Sequence, residues 1–448
     1  MPKMEKLRRN GLIWVLACAG ISSLWGTFFA LGGNEWIDFR AVYVGTRCLI
    51  HEHNPYSVSE LEREYLLEDG QRPRDTPFNL QGVVYDINLP TTLVILAPIA
   101  ALPWGPAHIL WMLATGCALI LAILLIWDAG ARHSPPVSTF LACLIAVNCE
   151  SIFSSGNTAG IVVGLCGIAV WCFLEDRYVP IGVICLGLSL AVKPHDGGLV
   201  WLYFVLAGGA NRKRAMQSVV ITAAICLISV LWVSHVAPTW MHDWNTNIAT
   251  TSAPGGINNP GPNGAKSGAL FSIVDLQAPI SIFRDDPHFY NLASYLICGT
   301  LLLIWAIWTL RRRSSVINAW LGLASVSALT LLITYHRLWD AKLMMLAIPA
   351  CCLLWAEGGS RGKAAILVTA IAAFFTGEVS LVLFEMALGA LHMGTNGIVA
   401  QAITVVLTRP ASLALLAMGV FYLWAYLRQP DPVKPASSVI QEIECVSE

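Results

Sequence analysis

The chain has 448 residues, of which 56% are hydrophobic and 12% charged, with a formal net charge of -1 and a mean hydropathy of +0.64. That composition excludes a soluble globular domain, and the even charge balance offers no basic face for a nucleic-acid partner. Thirteen cysteines do not form a disulfide framework, because nearly all, including Cys117, Cys166, Cys185, Cys226, Cys351 and Cys352, fall inside apolar runs, with Cys48 alone placed in a long loop.

In chain order, a basic start (Lys3, Lys6, Arg8, Arg9) precedes an apolar run at 11–31. It lacks a convincing small-x-small cleavage site and reads as a retained first helix. A run of about 20 residues crosses about 30 Å of hydrocarbon. Further candidate spans fall at 105–127, 137–150, 158–174, 180–192, 197–207, 215–236, 291–310, 316–334, 341–356, 363–387 and 411–427, about twelve in all. The short pair at 180–192 and 197–207 flanks Lys193-Pro194-His195-Asp196 and reads as tilted, partly inserted, or one helix broken at Pro194. Residues 89–103, interrupted by Pro90, Pro98 and Pro103, read as an interfacial or re-entrant helix. The expected fold is an all-α polytopic membrane protein, a single integral-membrane domain at 1–427 followed by a disordered cytoplasmic tail at 428–448, rich in Pro, Ser and Glu.

Lys and Arg gather at Lys3–Arg9, Arg132, Arg177, 212–214, 311–313, Arg361 with Lys363, and Arg428. With twelve spans, all fall on one side, which the positive-inside rule assigns to the cytoplasm with both termini. The outer face then receives the long loops 32–104 and 237–290, which are expected to form the site. The first holds a charged stretch, Glu60–Asp75, patterned as a short amphipathic surface helix. The second holds Trp240, Trp244 and a Pro/Gly/Asn run at 254–264, either a lid or a solvated connector.

Three constellations on that face carry chemistry. Asp38 follows the first span by about seven residues, either a site acid or a hydrated cap of a helix beginning near Phe39. Lys193, between two apolar segments, is expected to face a water-filled cavity, with pairing to Asp196 or another acid as the alternative. His336, Arg337 and Asp340 crowd a turn in which Asp340, at i+4 on a helix, orients the His336 imidazole. A Lys and an Arg converging from different helices suit an anionic phosphate.

The tract Asp38-Phe39-Arg40-Ala41-Val42-Tyr43, running on to His53-Asn54-Pro55-Tyr56, resembles the opening of glycosyltransferase family 87. Residues Tyr85–Pro103, Gly156-Asn157, Lys193-Pro194 and Tyr335-His336-Arg337 with Asp340 are similar too, so the resemblance spans about 30–350. It implies a C-type (GT-C) membrane bundle of about twelve transmembrane helices. It also implies an inverting transfer from a polyprenyl-phosphate sugar (mannose, another hexose or arabinofuranose) to a glycolipid, polysaccharide or protein hydroxyl outside a bacterial inner membrane. Carried over, Asp38 is the general base and His336 a second catalytic residue. Lys193, Arg337 and Arg40 bind the donor phosphate, and Tyr43, Asp86, Asn157, His195 and Asp340 support them. The chain has Asn88-Leu89-Pro90 where the family usually shows Pro-Pro, and Gly156-Asn157-Thr158-Ala159 for Gly-Gln-x-Asn, departures that bear on sugar and acceptor. No second carboxylate accompanies Asp38 in an Asp-x-Asp pattern, so no metal or other cofactor is expected. The expected partners are the lipid-linked donor, the acceptor and membrane lipids. The alternatives are a polymerase or ligase of polyprenyl-linked glycans, and a secondary transporter of an anionic solute at a broken helix, for which no paired halves are visible.

Overall fold

The computed structural model describes residues 2–30, 36–69, 83–262, 272–312, 315–378, 380 and 398–430. Among them the chain is helical throughout, its only strand-like pairing an isolated antiparallel bridge between Ile273 and Arg337. The elements are α1 (Pro2–Phe29), α2 (Ile37–Ile50), α3 (Val58–Asp69), α4 (Pro90–Ala100), α5 (Trp104–Ala131), α6 (Pro135–Val147), α7 (Glu150–Ser155), α8 (Thr158–Leu174), α9 (Val179–Val192) and α10 (Pro194–Ala207). There follow α11 (Gly209–Val236), α12 (Trp240–Ser252), α13 (Gln277–Ser281), α14 (Pro287–Arg311), α15 (Val316–Ile333), a 3-10 helix (Asp340–Leu346), α16 (Ala347–Glu357), α17 (Gly359–Phe375), α18 (Ile398–Thr408) and α19 (Pro410–Arg428).

Seven helices among the described residues are long and apolar enough to cross a membrane: α1, α5, α6 with α7, α11, α14, α15 and α19. The protein is an integral membrane protein of all-α architecture. Its radial order follows from composition, since lipid accepts apolar surface that water would not. The strongest apolar window of α15 is 83% buried, whereas that of α11 is 11% buried, so α15 is central and α11 lines the lipid. The central helix packs on α19, α14, α16 and α10, and α8 packs closely on α5 and α9. The latter contact depends on Gly164, where a Cβ would stand 2.6 Å from the Ala118 backbone of α5.

Ion pairs mark one end of the bundle. Arg8 and Arg132 both reach Asp128, Arg132 also meets Glu175 at 2.7 Å, and Arg214 pairs with Asp176. The basic clusters thus meet where α8 ends, while Asn157, which caps the start of α8, lies about 26 Å away along that helix. The segment 32–104, expected as a loop, proves helical over much of its described length: α2 begins two residues earlier than Phe39, and Cys48 lies buried within it rather than in a loop. The amphipathic segment is α3, with Leu61 and Tyr65 buried, although 70–75 lie outside the described residues. The tail at 431–448 and positions 263–264 of the Pro/Gly/Asn run also lie outside them.

Valine at Gly164 should lower the unfolding temperature of the detergent-purified protein, by an overpacking cost of about 1–3 kcal/mol. Alanine at Gly299, where nothing lies within 4 Å of the added carbon, should leave it unchanged.

Candidate active site

Pro194 has no N–H to donate, so the helix breaks there and the last carbonyls of α9 lose their partners. Thr91 and Thr92, at the start of α4, supply the missing donors: their hydroxyls bond the carbonyls of Ala191 and Val192. The break leaves Lys193 in an extended conformation (φ -141°, ψ 84°) with its side chain turned into the bundle. Its Nζ donates to Oδ1 of Asp340 and stands 3.7 Å from Oδ2 of Asp196. Lys193 is therefore paired twice rather than facing open water, because an ammonium this enclosed needs matched charge.

His336 meets the same cluster. After α15 the chain runs extended against residues 272–276, with Leu276 N bonding Leu332 O (3.0 Å), Val274 N bonding His336 O (3.0 Å) and Leu338 N bonding Ser272 O (2.9 Å). The segment is a turn, as expected, and it does not give His336 and Asp340 the helical spacing that would let the acid orient the imidazole. Oδ2 of Asp340 instead accepts from Arg337 N at 2.8 Å, at the head of the 3-10 helix. The ring is held by the Thr334 carbonyl, 2.8 Å from Nδ1, and by Asp196, whose Oδ1 lies 3.2 Å from Nε2 in an oblique contact rather than an aligned hydrogen bond. Burial alone would lower the pKa of His336, but Asp196 and then Asp340 outweigh it and leave it raised. The His195 ring stands edge-on to that of His336, centroids 4.9 Å apart.

Asp38 faces the site from α2. Asn157 does two things at once: its Oδ1 caps α8 by accepting from Ala159 N at 2.8 Å, and its Nδ2 donates to Oδ2 of Asp38 at 2.9 Å. The segment before it is clamped in place, with Trp36 donating to Phe153 O (2.9 Å) and Trp111 to Gly156 O (2.8 Å). Gly156 has a φ of 68°, and any Cβ there would stand 2.7 Å from that of Phe39, so glycine is required. Burial raises the pKa of the Tyr335 phenol against the lowering effect of the Arg337 charge.

Other expected residues lie elsewhere. Arg40 follows Asp38 by two positions, about 200° around a helix, and its guanidinium sits over the Trp104 ring (4.4 Å to the centroid) and bonds the Tyr65 hydroxyl at 3.2 Å. Tyr43 bonds the Leu102 carbonyl at 3.0 Å in the same aromatic cluster. Arg337 spends its guanidinium on its neighbour and on the 237–290 segment: Nε donates to Tyr335, Nη1 to Ser272 (3.0 Å), and Nη2 to Ile257 O (2.6 Å) and Asn258 Oδ1 (3.3 Å). Of five N–H groups, one remains. Asp86 is buried beside Gly45, seven residues and about 10 Å along α2 from Asp38. Its Oδ1 accepts both the backbone and side-chain N–H of Asn88.

Asp196 is the residue the sequence reading undervalued, since it joins Lys193 to His336. Its spacing of three from Lys193 in the first turn of α10 was the available signal.

Apolar helices that close over a largely buried lysine and a buried histidine define an integral membrane protein with a cluster of ionisable side chains between its helices. The family model of glycosyltransferase family 87 matches residues 87–335, over half of the chain, and the chain belongs to that family. It is a membrane glycosyltransferase. No curated protein and no solved structure matches it. The matched region holds Asn157, Lys193, His195 and Asp196, with Asp38 upstream and His336, Arg337 and Asp340 just beyond.

Burial pushes the pKa of Asp86 up from 3.8 to about 7 against the hydrogen bonds from Asn88, so the native state holds this proton over a range where the unfolded chain has lost it. Stability must then fall as pH rises from about 4 to about 7 and level off above. Wild type should lose unfolding temperature relative to Asp86→Asn across that window, measured as the difference between the two proteins in a pH series.

Proposed function

We propose that this enzyme transfers a sugar, with inversion, from a polyprenyl-phosphate donor to an acceptor hydroxyl on a glycolipid or polysaccharide. The transfer takes place at the outer face of a bacterial inner membrane, with both termini in the cytoplasm. The sugar class is mannose or another hexose, or arabinofuranose. The observation that carries the reading is the division of the site into an acid on one side and buried cations on the other.

Asp38 is bonded, among the described residues, only by Asn157, which leaves a carboxylate oxygen to take the acceptor hydroxyl proton. The departing lipid phosphate needs positive charge where its negative charge develops. Lys193 and protonated His336 supply it without a divalent cation, and Arg337 holds the loop at 257–258 against the site and offers its remaining N–H. The resting charges balance: Lys193 and imidazolium against Asp196 and Asp340. An arriving phosphate therefore favours the protonated form of His336. Because the pKa of that imidazole is raised, donor affinity is full below it and declines as pH rises through it.

The test is transfer of label from polyprenyl-phosphate sugars to a membrane lipid extract by the purified full chain, with chelator present and the anomeric configuration of the product determined. Asp38→Asn should lower turnover by about 10²–10⁴ with donor binding retained, whereas Lys193→Ala should weaken donor binding by about tenfold to a hundredfold. Undiminished turnover in Asp38→Asn, or equal loss of donor binding in both, overturns the roles. The Michaelis constant for the donor should also rise with pH in wild type and show no such rise in His336→Gln.

A further inference from the structure

The contact between His336 and Asp196 offers a second chemistry besides the imidazolium–carboxylate pair. The Thr334 carbonyl can only accept, so Nδ1 of His336 carries a proton and donates it. In the neutral ring the lone pair of Nε2 would turn toward a carboxylate oxygen 3.2 Å away, and both atoms are fully buried without an aligned hydrogen-bond partner among the described residues. Two lone pairs facing each other in a dry site repel, so something positive belongs between them. In the resting imidazolium the second ring proton fills that place, and a metal ion can take it instead. Two atoms that each lie about 2.0–2.2 Å from one metal ion stand about 2.8–3.6 Å apart for ligand angles between about 90° and 110°, each off the other's lone-pair axis.

A third ligand is at hand. His195, Asp196 and His336 present ligand atoms that all lie within 4.8 Å of one another, and the His195 ring already stands beside that of His336, centroids 4.9 Å apart. The geometry points to a divalent transition-metal site formed by His195, Asp196 and His336, at which bound Zn²⁺ holds transfer off.

Two imidazoles and one carboxylate suit zinc and its neighbours rather than magnesium or calcium, which take oxygen ligands. The Nδ1–carbonyl bond of His336 is the outer support that fixes tautomer and ring direction in a ligating histidine. Lys193 does not block the site, because it faces the other carboxylate oxygen of Asp196 at 3.7 Å and its charge is matched by Asp340. The inhibitory consequence rests on the proposed use of His336 toward the donor: zinc occupies the nitrogen that would otherwise carry the second ring proton.

Cobalt(II) titrated into the metal-stripped full chain should give the visible absorption of a low-symmetry nitrogen–oxygen site, one zinc per chain should abolish it, and elemental analysis should find that zinc bound. His195→Asn should weaken zinc binding by at least about tenfold, and Asp86→Asn, a buried acid elsewhere, should not. Zinc should inhibit transfer by wild type, and the concentration for half inhibition should rise about tenfold in His195→Asn, each protein compared with its own zinc-free rate. Absence of the cobalt spectrum, or zinc binding unchanged in His195→Asn, overturns the site. Zinc held by these residues with transfer undiminished overturns the inhibition and with it the use of His336 toward the donor. The cobalt spectrum is independent of the Asp38 experiment, so either reading can fail alone.

Discussion

The arrangement depends on a buried ammonium at a broken helix. Pro194 opens the backbone, the Thr91 and Thr92 hydroxyls close it, and Lys193 is left pointing inward at Asp340 and Asp196. Three segments far apart in sequence, at 91–92, 193–196 and 336–340, are brought together by that single requirement. A charge taken out of water is tolerable only beside its counter-charge, and removing one partner of such a pair costs about 3–5 kcal/mol. The irregular backbone is likewise tolerable at the end of an apolar bundle only because each freed carbonyl finds a donor.

Around that fixed point the site divides its labour. Asn157 is spent twice, once on the start of α8 and once on Asp38, so the acid is positioned by the same residue that begins a core helix. Arg337 is spent on the loop at 257–258 and on Ser272, which couples the 237–290 segment to the turn bearing His336 and Asp340. The loop's position and the site's geometry therefore change together. Glycosyltransferase chemistry asks for such coupling, since water must be excluded while a sugar donor and a separate acceptor meet.

Much of this was legible in the sequence. The span at 158–174 was placed to the residue, because its flanks, Asn157 and Glu175, are polar and its interior is continuously apolar. Asp38 and Lys193 stood out because a charge beside apolar runs has few bland explanations. What the sequence hid was partner choice. Asp340 was assigned to His336 on helical spacing, but pairing with 272–276 pulls that turn out of helix, and the carboxylate goes to Lys193 and the Arg337 N–H. Arg40 was misplaced for a reason the helix period contains, since positions 38 and 40 face opposite ways. Asp196 lay in view, yet its bridging role needed the third dimension. Of the twelve spans expected, seven of the described helices are long enough to cross alone, and α8 and α9 are shorter apolar helices that cluster around the break.

The most direct test of the central claim is a double-mutant cycle on Lys193 and Asp340, read by unfolding temperature and by donor binding in parallel. If the buried pair organises the site, Lys193→Met and Asp340→Leu should each destabilise the protein, the double variant should recover much of the loss, and donor binding should stay lost in all three. Additive destabilisation, or a double variant that binds donor as wild type does, would contradict the account.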